Sequence, residues 1–233
     1  MQSTARPFQR SAADVRPGSA RPLYAEVADL LRQRILQQKL MPGAWIDEMK
    51  LAEEMGISRT PMREAIKVLA AEGLVTIKVR RGAYVTEIPE DEVREIYHLL
   101  GLLESDAAAD VARTATESEL QHLTRLHQQL EAQGRQLVEL PGDTALIDQF
   151  FATNQAFHQF LLDASRNRWR TQIVNDLRKV MQLGRHHSLF KQGRVQQSME
   201  EHAAILLALV ARDPQAAAQA MRMHFAQGLQ AIG

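Results

Sequence analysis

The stretch that decides the N-terminal fold is residues 51–85, LAEEMGISRTPMREAIKVLAAEGLVTIKVRRGAYV. Its first apolar residues share one face of a short predicted helix, which ends at Gly56. A second predicted helix starts at Thr60-Pro61, because threonine can cap a helix and proline fits the first helical position. That helix ends at Gly73. Two helices joined by so tight a turn indicate a helix–turn–helix.

A basic β-hairpin follows the second predicted helix. Two short β-rich runs, Thr76–Val79 and Ala83–Thr86, flank the sequence Arg80-Arg81-Gly82, which is the predicted hairpin tip. A helix–turn–helix followed by such a hairpin is a winged helix. The fold expected for residues 21–87 is therefore a winged helix–turn–helix with a small β wing.

The start of the second helix carries the residues expected to contact DNA. Ser58, Arg59, Thr60 and Arg63 cluster at this end, which enters the major groove in a recognition helix. Backbone N–H groups and the helix dipole attract phosphate there. An arginine can bind guanine O6 and N7 together, which contributes about 1–3 kcal/mol of discrimination. The alternative is a solvated helix start with two exposed arginines, but the accompanying cap, wing and basic tip favour DNA binding.

A wider set of residues surrounds this motif. It comprises Met41-Pro42-Gly43, Leu51-Ala52, Gly56-Ile57-Ser58-Arg59-Thr60-Pro61, Arg63-Glu64-Ala65, Leu69, Glu72-Gly73-Leu74-Val75 and Gly82. In this pattern the sequence resembles the GntR family of bacterial transcription regulators. The resemblance implies a dimeric winged helix that binds a short palindromic operator in double-stranded DNA. It also implies a phosphate contact near Lys50, and the wing tip Arg80-Arg81-Gly82 is expected to contact phosphate or the minor groove.

Length and composition limit the classes of protein to which this chain can belong. The 233 residues suggest two domains, because the sequence pattern changes near residue 88. The chain is 45% hydrophobic and 24% charged, which is ordinary for a globular protein. It has no cysteine, which excludes a disulfide framework and suits a reducing cytoplasm. No apolar run approaches the roughly 18 residues needed to span a bilayer, so no membrane partner is expected.

The charge is distributed unevenly along the chain, although the total is zero. Residues 1–87 carry 14 Lys and Arg against 10 Asp and Glu, a net charge of +4. Residues 88–233 carry 14 against 18, a net charge of −4. This asymmetry agrees with a DNA-facing N-terminal domain and a regulatory C-terminal domain.

Residues 88–233 are expected to form an all-α helical bundle for ligand binding and dimerisation, so that the whole chain is mainly α. Six helical segments are predicted, covering about 90–113, 117–139, 143–165, 167–187, 194–212 and 214–230. Thr116 and Glu119 form a predicted capping box, Asp143 is a predicted cap, and Asp213-Pro214 starts the last helix. Residues 1–20, rich in Arg, Ser, Ala and Pro without periodicity, are expected to be a disordered tail.

Four polar residues on three of these segments are candidates for a metal site. Asn154 and His158 are four residues apart and share a helix face, and His202 and His224 lie on the last two segments. Imidazole suits Zn, Ni, Cu and Fe, and a site with few protein ligands keeps positions open for an effector. Spacing alone does not bring three helices together. The alternative is therefore a surface or capping role for each histidine.

A second resemblance covers these residues. The stretch NQAFHQFLLDAS at 154–165, followed by Asn167, EHAAILLAL and MRMHF, resembles the helical effector domain of FadR-type GntR regulators, called FCD. Many FCD domains hold a metal with Asp, His, His and His, and the matching positions here are Asn154, His158, His202 and His224. The resemblance implies one divalent metal ion, with zinc or nickel favoured.

Two positions depart from the FCD pattern. Asn154 stands where many relatives have an aspartate, and Leu100 or Gly101 stands where many carry an arginine. The effector that the resemblance implies is a small molecule, an organic acid that meets the bound metal.

The function expected from these features is a transcription regulator, a repressor, whose operator binding a small-molecule effector controls. A metal-sensing regulator, with the metal itself as the signal, is one alternative. A metal-dependent hydrolase is the other, but the sequence has no His-Glu-x-x-His motif and no evident nucleophile beside the candidate ligands, so an enzyme is not expected. The remaining histidines are expected at the surface: His98, His122, His127, His186 and His187.

Overall fold

The computed structural model describes residues 21–37, 39–140, 143–183 and 193–231. Within these ranges the chain forms nine helices and one three-stranded sheet. Two compact units result: residues 21–88 with the end of one later helix from Arg178, and the described remainder from Pro89 onward. The tail predicted at 1–20 lies outside the described residues, as do His186 and His187.

The first unit is the predicted winged helix–turn–helix. Its elements are α1 (Leu23–Leu36), β1 (Trp45–Ile46), α2 (Glu48–Glu54), α3 (Arg59–Ala71), β2 (Val75–Lys78) and β3 (Gly82–Val85). The sheet is antiparallel in the order β1-β3-β2, and Tyr84 of β3 lies between Trp45 and Thr76. Strands β2 and β3 each begin one residue earlier than predicted.

The start of α3 corrects the sequence prediction. Ser58 has extended φ and ψ angles of −76° and 166° and is the N-cap, so Arg59 is the first helical residue and Thr60 is not the cap. Pro61 therefore occupies the third helical position. Proline is tolerated there because the first four N–H groups of a helix have no intrahelical partner.

Packing of α1 on α3 holds the first unit together. Leu31 of α1 and Met62, Leu69 and Leu74 are fully buried. Each such side chain contributes about 1.5–3 kcal/mol through removal from water. The apolar face of α3 is thus turned inward, and the polar residues at its N-terminal end remain on the surface.

The second unit is all-α, as predicted. Its helices are α4 (Glu90–Thr114), α5 (Glu117–Glu139), α6 (Thr144–Ala164), α7 (Arg168–Leu183), α8 (Arg194–Val210) and α9 (Pro214–Gln230). The predicted caps are present: Thr116 and Glu119 form the capping box, and the side chains of Asp143 and Asp213 accept first-turn N–H bonds. Among the described residues, no helix combines the length and the apolar character that crossing a bilayer requires.

The core of the second unit brings α5, α6, α8 and α9 together. Phe157 and Leu161 of α6 and Ile205 of α8 are fully buried. Helices α5 and α8 approach closely at Gly134, where a Cβ atom would lie 2.1 Å from the sulfur of Met199. The interior of this unit also contains polar residues of α6 and α8, among them His158 and His202.

Candidate DNA-reading surface and candidate metal centre

The structure exposes every residue predicted to contact DNA. The exposed set is Lys50, Ser58, Arg59, Thr60, Arg63, Arg80, Arg81 and Gly82. Ser58 caps α3 only through its backbone conformation, since its side chain makes no capping hydrogen bond. Its hydroxyl and the first-turn N–H groups of α3 are the donors that a phosphate meets at a helix N-terminus.

Two residues of α2, which the sequence reading passed over, contact the two arginines of α3. Arg63 Nε donates to Glu48 Oε2 at 3.2 Å, and Arg59 Nη2 lies 3.3 Å from Met49 Sδ. Glu48 and Met49 are the first two residues of α2, where Asp47 caps the helix by accepting from the N–H groups of Met49 and Lys50. The start of α2 and the start of α3 therefore form one contact region.

The wing tip is a tight turn in which Arg80 has a positive φ of 61°. The Arg81 N–H donates to the Lys78 carbonyl at 2.9 Å, and the Tyr84 hydroxyl donates to the Arg81 carbonyl. Gly82 has a φ of 95°, and a Cβ atom there would lie 2.9 Å from Trp45 Nε1. The tip thus needs glycine at 82 and presents two cationic side chains.

Three of the four predicted metal ligands converge inside the second unit. One ring nitrogen each of His158, His202 and His224 lies within 4.8 Å of the other two. The His158 and His202 Nε2 atoms are 3.2 Å apart. Aromatic rings surround the group: Phe157 meets the His202 ring edge-on at 5.1 Å, and Phe225 lies 5.4 Å from the His224 ring.

Each of these three histidines is held through its Nδ1 atom. The His158 Nδ1–H donates to Glu104 Oε2 at 2.8 Å, and the His224 Nδ1–H donates to Glu201 Oε2 at 2.7 Å. The His202 Nδ1–H donates to the Ser198 carbonyl at 2.7 Å. Carboxylate and carbonyl partners of this kind orient metal-binding histidines and select the tautomer whose Nε2 lone pair is available.

This geometry fits a metal ion held by Nε2 atoms. Two nitrogens bound to one tetrahedral zinc, each about 2.0–2.1 Å from it, lie about 3.3 Å apart. The observed 3.2 Å between His158 and His202 agrees with that value. In neutral rings with protonated Nδ1 atoms, two lone pairs face each other at this distance, which is unfavourable unless a cation or a further proton lies between them.

Burial favours the metal-binding form of His202. Desolvation lowers the pKa of His202 well below its ordinary value, and the nearby His224 and His158 act in the same direction. Its imidazole is therefore neutral near pH 7, which is the form that donates a lone pair to a metal.

The carboxylate that binds His224 belongs to a buried ion pair. Arg194 binds Glu201 through two bonds of 2.7 and 2.8 Å, and both side chains are almost fully buried. Burial acts to raise the pKa of Glu201, but the hydrogen bonds from His224 and Arg194 outweigh it and lower that pKa. Glu201 is therefore an ionised carboxylate that holds the Nδ1–H of His224.

The expectation that His127 lies at the surface is wrong. It is buried, and burial lowers its pKa although Glu131 opposes this. The reason is helical periodicity, because His127 shares the inward face of α5 with Leu123, Leu130 and Gly134. Among the described histidines His98 is exposed and His122, half-buried, packs on Phe160.

The two departures from the FCD pattern have different structural settings. Asn154 is half-buried on α6, one turn before His158. Leu100 is buried, and a Cβ atom at Gly101 would lie 3.3 Å from the Cβ of Phe225. Helices α4 and α9 thus approach closely at Gly101, and a long side chain there would separate them.

Comparison with known families agrees with this architecture. Residues 23–85 match the family described as bacterial regulatory proteins, gntR family, and residues 95–227 match the FCD domain. The chain therefore belongs to the GntR family of bacterial transcription regulators, in the group with an FCD C-terminal domain. The matching families and relatives are transcription regulators rather than enzymes.

Relatives of similar length match this chain over most of its residues. The uncharacterized HTH-type transcriptional regulator YdhC of Bacillus subtilis is 30% identical over 204 residues, which cover 88% of each chain. The HTH-type transcriptional repressor RspR of Escherichia coli is 28% identical over 87% of this chain and 86% of its own. Among solved structures, E. coli McbR/YncC has a TM-score of 0.71 at 22% identity, covering 91% of this chain and 98% of that one. This last likeness supports the fold.

Proposed function

We propose that the protein is a cytoplasmic, homodimeric repressor whose operator binding is controlled by a small organic acid at a divalent metal site in the C-terminal unit. The winged helix reads one half-site through Ser58, Arg59, Thr60 and Arg63. The wing residues Arg80 and Arg81, with Lys50 on α2, contact the backbone. The relative RspR is named a repressor, which supports that sign of regulation.

The arrangement of the histidine rings carries the metal proposal. All three Nδ1 atoms are bonded to fixed partners, and two Nε2 atoms lie at the separation expected of ligands to one ion. A divalent ion, zinc or nickel, would be held by His158, His202 and His224, with the Asn154 amide oxygen as a fourth donor. When bound, such an ion is a Lewis acid with coordination positions open to a carboxylate.

Charge favours an anionic effector. The three imidazoles and the amide are neutral donors, so they leave the positive charge of the ion to be balanced from outside the ligand set. The Arg194 cation offsets the charge of Glu201, and the Glu104 carboxylate beside His158 can balance at most half of the charge of a dication. A carboxylate in an open position is therefore attracted more strongly than a neutral ligand.

Regulation requires that the effector prefer one conformation of the dimer. A ligand shifts an equilibrium only by the difference between its affinities for the two states. Half-site spacing is a strict geometric demand on a dimeric helix–turn–helix protein. A small change in the separation of the two winged helices is therefore sufficient to weaken operator binding.

Elemental analysis of full-length protein, purified without chelator or histidine tag, tests the metal proposal. We expect close to one equivalent of zinc or nickel after reloading near pH 7.5. His158→Ala and His202→Ala should lose it, whereas His98→Ala, at an exposed position, should retain it. A wild-type metal content below about a tenth of an equivalent would remove the metal site.

Operator-binding titrations separate the two kinds of signal. In metal-loaded protein, a panel of small carboxylates should change operator affinity under the organic-acid hypothesis. A metal-sensing regulator is the second candidate, since the neutral Asn154 amide is a weaker donor to a dication than a carboxylate. For that candidate, metal and chelator alone should switch operator binding, and carboxylates should have no further effect.

A further inference from the structure

The ion pair between Glu48 and Arg63 has a geometric consequence for base reading. Glu48 Oε2 accepts from Arg63 Nε at 3.2 Å, while Arg63 remains well exposed. Glu48 is less exposed than its partner, with 29% of its side-chain surface accessible against 67% for Arg63. The carboxylate is therefore the more buried member of the pair, and the arginine is the member more exposed to solvent.

The atom that Glu48 engages determines which edge of the guanidinium faces outward. Arginine can approach guanine with Nε and one terminal nitrogen, or with Nη1 and Nη2 together. A carboxylate on Nε occupies the first edge and leaves the end-on approach. It also restricts a side chain that otherwise loses considerable rotamer freedom when it binds.

We infer that Glu48 is a specificity-determining residue that positions Arg63 for end-on contact with a guanine. This inference rests on the proposed role of Arg63 in base reading. Glu48 itself contacts no base in this arrangement. It acts by holding one arginine conformation in the free protein, so that less conformational freedom is lost on binding.

Simple electrostatics predicts the opposite effect of removing Glu48. An acidic residue beside a DNA-binding surface repels phosphate, so its neutralisation should tighten binding to every duplex alike. The positioning role predicts a loss confined to one base pair of each half-site. The two explanations therefore differ in sign and in sequence dependence.

Selection of duplexes from a randomised DNA pool by the full-length protein measures this difference. A randomised segment of roughly 24 base pairs accommodates two half-sites centred about 10 base pairs apart. We expect Glu48→Gln to reduce the preference for guanine at one position by about threefold to tenfold, and other positions to keep their preference. Glu48→Asp, which keeps the charge but shortens the side chain, should show the same loss.

Two further variants make the test decisive. Glu53→Gln, at an exposed position of α2, should leave every preference unchanged. Arg63→Ala should abolish the same guanine preference, and if it does not, the base-reading role of Arg63 fails first. If Arg63→Ala loses the preference while Glu48→Gln and Glu48→Asp keep it, or if Glu48→Gln tightens all duplexes equally, the inference about Glu48 is overturned. Thermal unfolding of each variant identifies any loss of folding. If Glu48→Gln does not fold, the result with a normally folded Glu48→Asp decides the test.

Discussion

At the scale of single residues, each imidazole of the histidine cluster is held by a hydrogen bond at its Nδ1 atom. This bond leaves the lone pair of the Nε2 atom available to bind a metal. Glu104, Ser198 and Glu201 supply the three Nδ1 partners. The carboxylates of Glu104 and Glu201 lie next to the imidazoles and are not themselves members of the proposed ligand set. Asn154 is a neutral member of the proposed ligand set, and the structure has two acids one hydrogen bond behind the histidines.

The first prediction concerns Asn154. We expect Asn154→Asp to tighten the metal, because an anionic oxygen binds a dication more strongly than a neutral amide. The same charge should weaken the attraction between the ion and an anionic effector. Competition with a chromophoric chelator measures the metal affinity, and Gln155→Glu on the exposed side of α6 controls for added charge. Equal affinities in Asn154→Asp and wild type would place residue 154 outside the ligand set.

The second prediction concerns Glu104, which is fully buried against His158. Replacement of a carboxylate partner of a ligating histidine typically lowers metal affinity about 10–100-fold. We expect Glu104→Gln to fall in that range in the same chelator competition. Glu200→Gln, an exposed acid on α8, should leave the affinity unchanged. An unaltered affinity in Glu104→Gln would show that the Nδ1 bond of His158 has no influence on metal binding.

At the scale of elements, the wing is a short antiparallel hairpin whose tip conformation is strongly constrained. Arg80 has a left-handed backbone, which few residues other than Gly, Asn and Asp adopt readily. Lys78 lies 4.8 Å from the centre of the Tyr84 ring, so part of the hairpin's basic charge packs along its own strands. Arg80 and Arg81 lie in the turn itself, outside the paired residues of β2 and β3.

The third prediction separates the wing from the recognition helix. We expect Arg81→Gln and Arg80→Asn to weaken binding to all duplexes by a similar factor. Asparagine is chosen at position 80 because it adopts the left-handed backbone conformation readily. Each should lower the slope of log affinity against log salt by about 0.9, the value for one lost phosphate contact. Arg94→Gln, an exposed change on α4, provides the matched control. A slope equal to that of wild type in both wing variants would exclude the wing from the DNA interface.

At the scale of the whole molecule, the proposed function assigns DNA reading to the first unit and effector sensing to the second. The unit from Pro89 onward leaves large apolar side chains exposed, among them Trp169 and Leu207 at 66% and 72%. Exposed apolar groups of this size are common at sites of association between chains. They support the proposal that this unit carries the dimer contact, as a palindromic operator requires.

The fourth prediction is that the full-length chain sediments as a dimer at micromolar concentration. One winged helix buries too little surface to give the affinity of a typical operator complex, so two must act together. Sedimentation velocity without DNA measures the assembly directly, and the dimer should persist at high salt because apolar contacts are not screened. A monomer throughout the micromolar range would contradict the proposed assembly.

The local features of this protein could be predicted from its amino-acid sequence. Helix periodicity, the glycine and proline breaks, and the caps at Thr116, Asp143 and Asp213 placed α3, α4, α5, α6, α8 and α9 to within a few residues. These signals are local, because a cap or a turn depends on the few residues around it. The cap of α3 lies two residues earlier than predicted, because the backbone has extended angles at Ser58 and helical angles from Arg59 onward.

Which side chains from different helices come into contact could be seen only in the folded structure. Glu104 lies 54 positions before His158, and Glu201 lies 23 positions before His224, so no periodicity links either pair. The same holds for the contact of Glu48 with Arg63 across the helix–turn–helix. Such pairs depend on how helices pack, and packing is set by the summed burial of many apolar residues. The pattern of apolar residues along one helix predicts which face of the helix each residue occupies. It does not predict which residue of another helix packs against that face.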